Sequence, residues 1–191
     1  MAGKQAKVLS EQHTNALLTY CRKTRYPHRN RTIVLLSGKA GLRAGEIAQL
    51  TWPMVIDASG EISATIELQD VIAKKGSGRQ IPLHQDLRAA LATLRKQGAS
   101  DGPVIRSERG YAMTPVSVVN WFGAAFRAIG LEGCSSHSGR RTFITRAARL
   151  VHRADGSLRD VQLLAGHRSI TTTQRYIDGD TDTQRKLVAL I

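Results

Sequence analysis

The sequence predicts a mainly α domain that carries a small three-stranded antiparallel β-sheet, an α+β arrangement. Three observations lead there. Apolar residues recur at helical spacing along most of the chain, and only the stretch from Trp52 to about residue 83 changes to a period of two. Glycine, proline and small polar residues separate these segments at short intervals. No repeat, low-complexity block or flexible linker divides the 191 residues, a length that suits one well-cored domain.

Residues 1–8 are small, polar and basic, and are expected to form an arm. Ser10 is placed to cap a helix whose apolar face is Leu17, Leu18 and Cys21 and which ends before Tyr26-Pro27. A second helix is expected at about 29–39, on the run Ile33-Val34-Leu35-Leu36, with Gly38 and Gly41 breaking it. Residues 41–50 read as a turn into a short helix with Arg43 at its start. Unpaired N–H groups and the macrodipole draw anions to such a place, so Arg43 suits a phosphate there; it equally suits a surface pair with Glu46, one turn on.

From Trp52 the pattern becomes that of strands. Ile62, Ala64, Ile66 and Leu68 alternate with Glu61, Ser63, Thr65 and Glu67 after an Asp57-to-Gly60 turn, and a last short strand, 79–83, follows the glycine-rich turn at 74–78. The exposed hairpin would present Lys74 and Lys75, a composition that also fits an ordinary solvated turn.

Helices resume near Gln85, with Leu87, Ala90, Leu91 and Leu94 on one face and a stop at Gly98. Thr114-Pro115 starts another by supplying an N-cap hydroxyl and a first-turn proline, with Val119, Phe122, Phe126 and Ile129 as its buried stripe and Trp121 in the core. Ser135-Ser136 is expected to cap a helix at about 137–151 in which Phe143, Ile144 and Leu150 make the core contacts. His137 and Arg140, three residues apart, share a face of it. A short helix follows with Leu158, Val161 and Leu164 inside and a stop at Gly166, then another from about Ser169 to Tyr176. Residues 182–191 form an apolar tail.

The formal charge of +13 and a pI near 10.6 point to a polyanion, because cations that neutralise phosphates release counterions and bind with strong salt dependence. Most of the cations are arginine, whose planar fork matches two phosphate oxygens at once. Nucleic acid is the leading candidate, the alternative being a basic charge that serves solubility only. Cys21 and Cys134 lie far apart with no CxxC pair, so neither a disulfide framework nor a zinc site is expected. No run approaches the roughly 18 apolar residues of a membrane span, and the start has no signal-peptide core. A soluble cytoplasmic protein without membrane attachment is the expectation.

The run from His137 to Tyr176 concentrates the chemistry: two histidines, a cluster of guanidinium groups and a late tyrosine. Together with Gly41-Leu42-Arg43-Ala44-Gly45-Glu46-Ile47, the hairpin lysine before Gly76, His137-x-x-Arg140, Leu164-Ala165-Gly166-His167 and Thr172-Thr173-Gln174-Arg175-Tyr176, it resembles the catalytic domain of the tyrosine recombinases, the phage-integrase and Xer family. The resemblance runs from about Ser10 to Asp178.

The resemblance implies that Tyr176 attacks a DNA phosphodiester, leaving a 3′-phosphotyrosyl bond and a free 5′-hydroxyl, so the bond energy is kept for rejoining. An ordinary phenol, with a pKa of about 10, needs help at neutral pH. Arg43 and Arg140 would clamp the non-bridging oxygens, and His167 would donate to the same phosphate. His137 would take or relay the tyrosine proton, and Lys75 would protonate the departing 5′-oxygen. Lys74, Arg79, Arg141, Arg168 and Arg175 would touch the DNA backbone. Neither a metal nor a nucleotide cofactor is implied; double-stranded DNA is the implied partner, bound by a homotetramer that exchanges C-terminal tails.

On this reading residues 1–8 are a basic arm, 9–181 the catalytic domain and 182–191 a helical tail. Only about ten residues stand where family members commonly carry an N-terminal DNA-clamping domain, so the chain resembles either the short recombinases of the fimbrial-switch kind or a fragment of a longer integrase. Gly139 stands where leucine is common, which predicts looser helix packing beside Arg140. Other readings are a DNA-binding regulator with an inert site and a type IB topoisomerase-like relaxing enzyme. A histidine-ligated metal hydrolase fits less well, because no HxH or HExxH spacing is present.

Overall fold

Local signals set most of the helices. In the computed structural model, which describes residues 6–73, 76–98, 101–176, 185, 188, 189 and 191, Ser10 Oγ accepts from the His13 amide at 3.1 Å and opens α1 (Glu11–Arg22). Leu17 and Cys21, four apart, face inward from it. Pro27 opens α2 (Pro27–Lys39), two residues ahead of the expected start, because a first-turn proline lacks only an N–H that no helical partner would take. Ile33, Val34, Leu35 and Leu36 are all buried, so α2 is enclosed on most of its circumference by α1, α4 and α6. A short α3 (Ala44–Gln49) follows.

The sheet differs from the sequence expectation. Among the described residues it has two strands, β1 (Thr65–Leu68) and β2 (Arg79–Pro82), antiparallel with Ile66 opposite Ile81. The third strand expected near Trp52 is replaced by a 3₁₀ turn, Trp52–Met54, whose second residue, Pro53, has no N–H for a ladder. Isolated bridges remain on either side of that turn, Thr51 to Pro103 and Ile56 to Ile62, the latter across a turn in which the Asp57 carboxylate accepts from the amides of Ser59 and Glu61.

Next come α4 (Gln85–Lys96) and α5 (Pro115–Ala128), the latter capped by Thr114 Oγ1, which accepts from the Ser117 amide at 3.1 Å. The buried face of α5 is Val118, Phe122, Ala125 and Phe126, so the stripe is turned by about one residue from expectation and Val119 faces solvent. Trp121 does pack against the core, edge-on to Phe122. The chain then forms α6 (Ser138–Leu150), with His137 at the N-cap rather than inside the helix, and a 3₁₀ turn, Val151–Ala154. Leu150 lies outside the core, whereas Ile144 is fully buried. The helices α7 (Leu158–Ala165) and α8 (Ile170–Gln174) complete the described structure.

Two apolar clusters result. The larger joins α1 to α5 and the sheet; the smaller is Ile144, Ala148, Val161 and Ala165, with Phe143 and Tyr176 packed against it. Helix α6 packs on both α2 and α7, and its Ile144 and Ala148 belong to the smaller cluster. Gly139 makes the first contact close: a Cβ there would lie 2.4 Å from Ser37 Oγ of α2. The looser packing expected of Gly139 is therefore reversed, because the missing side chain is what lets the two helices approach. Among the described residues no helix is long and apolar enough to cross a membrane.

Candidate active site

Helix α7 ends where Gly166 takes the left-handed conformation, φ 62°, and its last carbonyls need partners. Two arginines from distant parts of the chain supply them. Arg79 Nε donates to Leu164 O at 2.9 Å, and Arg140 NH2 donates to Ala165 O at 2.6 Å. Positive charge is favoured at a helix C-terminus, so this end of α7 gathers cations from β2 and α6. Arg140 NH1 also donates to Gly41 O at 2.6 Å, which fixes the turn before α3.

Arg43 sits at the N-cap of α3, but the anion at that helix start is the protein's own. Glu46 accepts from the Arg43 amide at 2.9 Å and from Arg43 NH1 at 2.7 Å. The same carboxylate accepts from Arg79 NH1 at 3.2 Å and NH2 at 3.1 Å. Glu46 is only 2 % exposed. Burial would raise its carboxyl pKa, but hydrogen bonds and charge from Arg79 and Arg43 outweigh that and hold it below the ordinary value. Glu46 thus ties α3 to β2, and Arg79 ties both to α7.

These links close a cleft of about 440 Å³ lined by Arg43, His137, Arg140, His167 and Tyr176, together with Arg141, Arg175, Thr172 and Ser135. Arg140 is 4 % exposed. Burial first, and then the Arg43 charge, bring its guanidinium down to about 10, so it stays protonated at neutral pH. Its NH2 also lies 3.1 Å from His167 Nε2. An arginine can only donate, so Nε2 accepts, and the proton of a neutral ring is on Nδ1, 3.0 Å from Thr173 Oγ1. Burial, followed by the charges of Arg140, Arg43 and Arg79, drives the His167 pKa down to about 4, which keeps the ring neutral. The Tyr176 ring stacks on it, with centroids 5.5 Å apart and planes at 25°.

The other residues singled out in the sequence are distributed less evenly. Lys74 and Lys75 lie outside the described residues. Gly76, next to Lys75, lines a second hollow of about 730 Å³ between the hairpin and α7, which shares His167 with the cleft and also includes Arg168. Arg175 is exposed at the cleft wall. The Arg141 guanidinium lies 6.0 Å from the Tyr176 ring centroid, and its Nε is buried without a hydrogen-bond partner. Arg79, expected on DNA, turns inward: its side chain is 6 % exposed and held by Glu46 and Leu164 O.

Sequence reasoning assigned no site role to Glu46 or Thr173. Glu46 carried a signal, since an acid three residues after a helix start commonly reaches back to the first amide. Thr173 carried none beyond its place in a threonine run.

The model of the phage integrase family matches residues 7–182. Tyrosine recombinase XerC of Rhizobium meliloti (strain 1021) is 29 % identical over 158 residues, 80 % of this chain and 46 % of the relative. XerC of Myxococcus xanthus is 32 % identical over 160 residues, 78 % and 49 %. The chain therefore spans about half the length of these curated relatives. Among solved structures, XerA recombinase superposes with a TM-score of 0.75 at 21 % identity, covering 96 % of this chain and 64 % of that one. A lambda integrase dimer bound to a COC′ core site gives 0.72 at 22 % identity, covering 93 % and 49 %. These likenesses establish a shared fold.

Proposed function

The chain belongs to the phage integrase family, and on that footing we propose that it breaks and rejoins DNA strands through a 3′-phosphotyrosyl bond to Tyr176. One observation carries the reading: a single cleft collects Arg43, His137, Arg140, His167 and Tyr176 from four separate parts of the chain. The phenol oxygen attacks phosphorus, the 5′-oxygen leaves with a proton, and the reverse reaction restores the phosphodiester. Arg43 and Arg140 hold the non-bridging oxygens, already fixed by Glu46 and by the carbonyls of Gly41 and Ala165, so little reorganisation is needed as charge develops. His167 faces the same oxygens. His137, at the exposed start of α6, takes the tyrosine proton, and Lys75 supplies the leaving-group proton.

Arg141, Arg168 and Arg175, with Lys74, position the DNA backbone. The unpartnered Nε of Arg141 supports a phosphate contact, since a buried donor is costly until it is paired. Arg79 is left out of this set because its donors are taken within the protein. Residues 9–181 act as the catalytic domain, 1–8 as an arm and 182–191 as a tail that docks on a neighbouring protomer in a DNA-bound tetramer. Deleting 182–191 is expected to abolish recombination while monomers still bind DNA.

The test is a pool of nicked duplexes of randomised sequence, incubated with the protein in chelator and run on a denaturing gel. A covalent protein–DNA adduct is expected from the wild type and none from Tyr176→Phe. Absence of any wild-type adduct overturns the reading; an adduct that persists in Tyr176→Phe means that another residue is the nucleophile.

A further inference from the structure

Resting on that reading of the cleft, we propose that Thr173 is a positioning residue whose hydroxyl lets His167 exchange its tautomer when a phosphate arrives. Thr173 is fully buried beside the His167 ring, on which the Tyr176 ring stacks. Its Oγ1 is 3.0 Å from His167 Nδ1, and its carbonyl accepts the Tyr176 amide at 3.0 Å. One residue thus links the histidine to the backbone of the nucleophile.

In the free protein the chemistry of Arg140 fixes the ring. Its NH2 donates to His167 Nε2, so Nδ1 carries the proton and gives it to Thr173 Oγ1. This ring turns a lone pair, not a proton, towards Arg140. A phosphate oxygen that takes the Arg140 N–H in place of Nε2 would face that lone pair with its own, which is repulsive. The contact becomes attractive once Nε2 carries the proton: one proton leaves Nδ1 for water, one from water reaches Nε2, and the ring stays neutral. Nδ1 then needs a donor. A hydroxyl both accepts and donates, so Thr173 O–H turns to supply it. Valine at this position could serve neither tautomer, and a carboxylate would serve only the first.

Two measurements test this. On the full chain with ¹⁵N-labelled histidine, the ring nitrogens of His167 are expected to report an Nδ1–H ring in the free protein and an Nε2–H ring when an arbitrary-sequence duplex saturates it at low salt. An Nε2–H ring in the free protein, or no exchange with the duplex, overturns the proposal. Thr173→Val should slow adduct formation about 10- to 100-fold, the range seen when an outer partner of a site imidazole is removed. Duplex affinity should change less than about twofold, and Thr173→Ser should return the rate to near wild type. A Thr173→Val protein at the wild-type rate, or a serine variant as slow as valine, overturns it. If the wild type forms no adduct while His167 shows the expected exchange, strand breakage by Tyr176 fails and the Thr173–His167 pairing stands.

Discussion

Glu46→Gln is the substitution with the largest consequence that the geometry predicts. The carboxylate is 2 % exposed and accepts from the Arg43 amide, from Arg43 NH1 and from both terminal nitrogens of Arg79. A glutamine keeps the shape but loses the charge, and its amide nitrogen must face guanidinium N–H groups that can only donate. Breaking a buried ion pair by removing one partner costs about 3–5 kcal/mol, because the remaining charge stays buried. Here two guanidiniums are left, and Arg140 loses the carboxylate whose charge offsets those of Arg43 and Arg79. We expect a loss of about 3–5 kcal/mol. For a chain of this size each kcal/mol shifts the midpoint by about 2–4 °C, so Tm should fall by roughly 6–20 °C. Guanidinium unfolding followed by circular dichroism measures it, and an unchanged m-value would show that the same surface still unfolds. A variant within about 1 kcal/mol of wild type would refute the claim that this carboxylate holds the arginine cluster together.

Other substitutions separate structural from DNA-facing arginines. Arg175→Ala should reduce the slope of log affinity against log salt by about 0.9, the loss of one phosphate contact, whereas Arg79→Ala should leave the slope unchanged and lower stability; equal slopes for the two variants would contradict that division. Gly139→Ala should cost about 1–3 kcal/mol through overpacking on Ser37, partly offset by about 1 kcal/mol of helix propensity, and Ser37→Gly should restore it in a double-mutant cycle with a coupling of at least about 0.5 kcal/mol. Acid should act in two windows. His167 has its folded pKa lowered from 6.5 to about 4, so the unfolded chain binds the extra proton first and stability falls as pH drops from 6.5 towards 4. Glu46, lowered from 4.5, contributes stability that is present above 4.5 and is lost as pH falls through its folded value. Urea midpoints of wild type and His167→Gln at pH 7 and pH 5 check the first window; equal pH sensitivity in the two proteins would rule out His167 as its source.

The helices were legible because periodicity and caps are local. Ser10 and Thr114 announce helix starts, and Gly166 announces a stop. The site was legible for a different reason: Arg43, His137, Arg140, His167 and Tyr176 stand in recognisable short motifs, and the fold brings all of them to one cleft. Long-range partners were not. Arg79 reads as one more cation on a basic hairpin because its partner, Glu46, is 33 residues earlier in the chain. Gly139 reads as a weak point in a helix because its benefit depends on Ser37, on another helix. The third strand was lost to a 3₁₀ turn at Pro53, whose missing N–H was visible in the sequence.

The way the arginines are held explains how such a cluster can exist before any phosphate is bound. Arg43 and Arg79 both work against the charge on Arg140, so three guanidiniums together would repel one another. One carboxylate and the end of α7 offset this. Glu46 neutralises one unit of charge between Arg43 and Arg79, and the carbonyls of Leu164 and Ala165 contribute the negative end of a helix. The balance still leaves positive charge in the cleft, which favours entry of an anion. Burial is the first reason His167 is neutral, and this excess of charge beside it disfavours a second proton on the ring further. A phosphate would remove much of the excess. The same binding event that satisfies the arginines therefore makes His167 easier to protonate, and the cations of the site and the proton state of its histidine respond to one ligand.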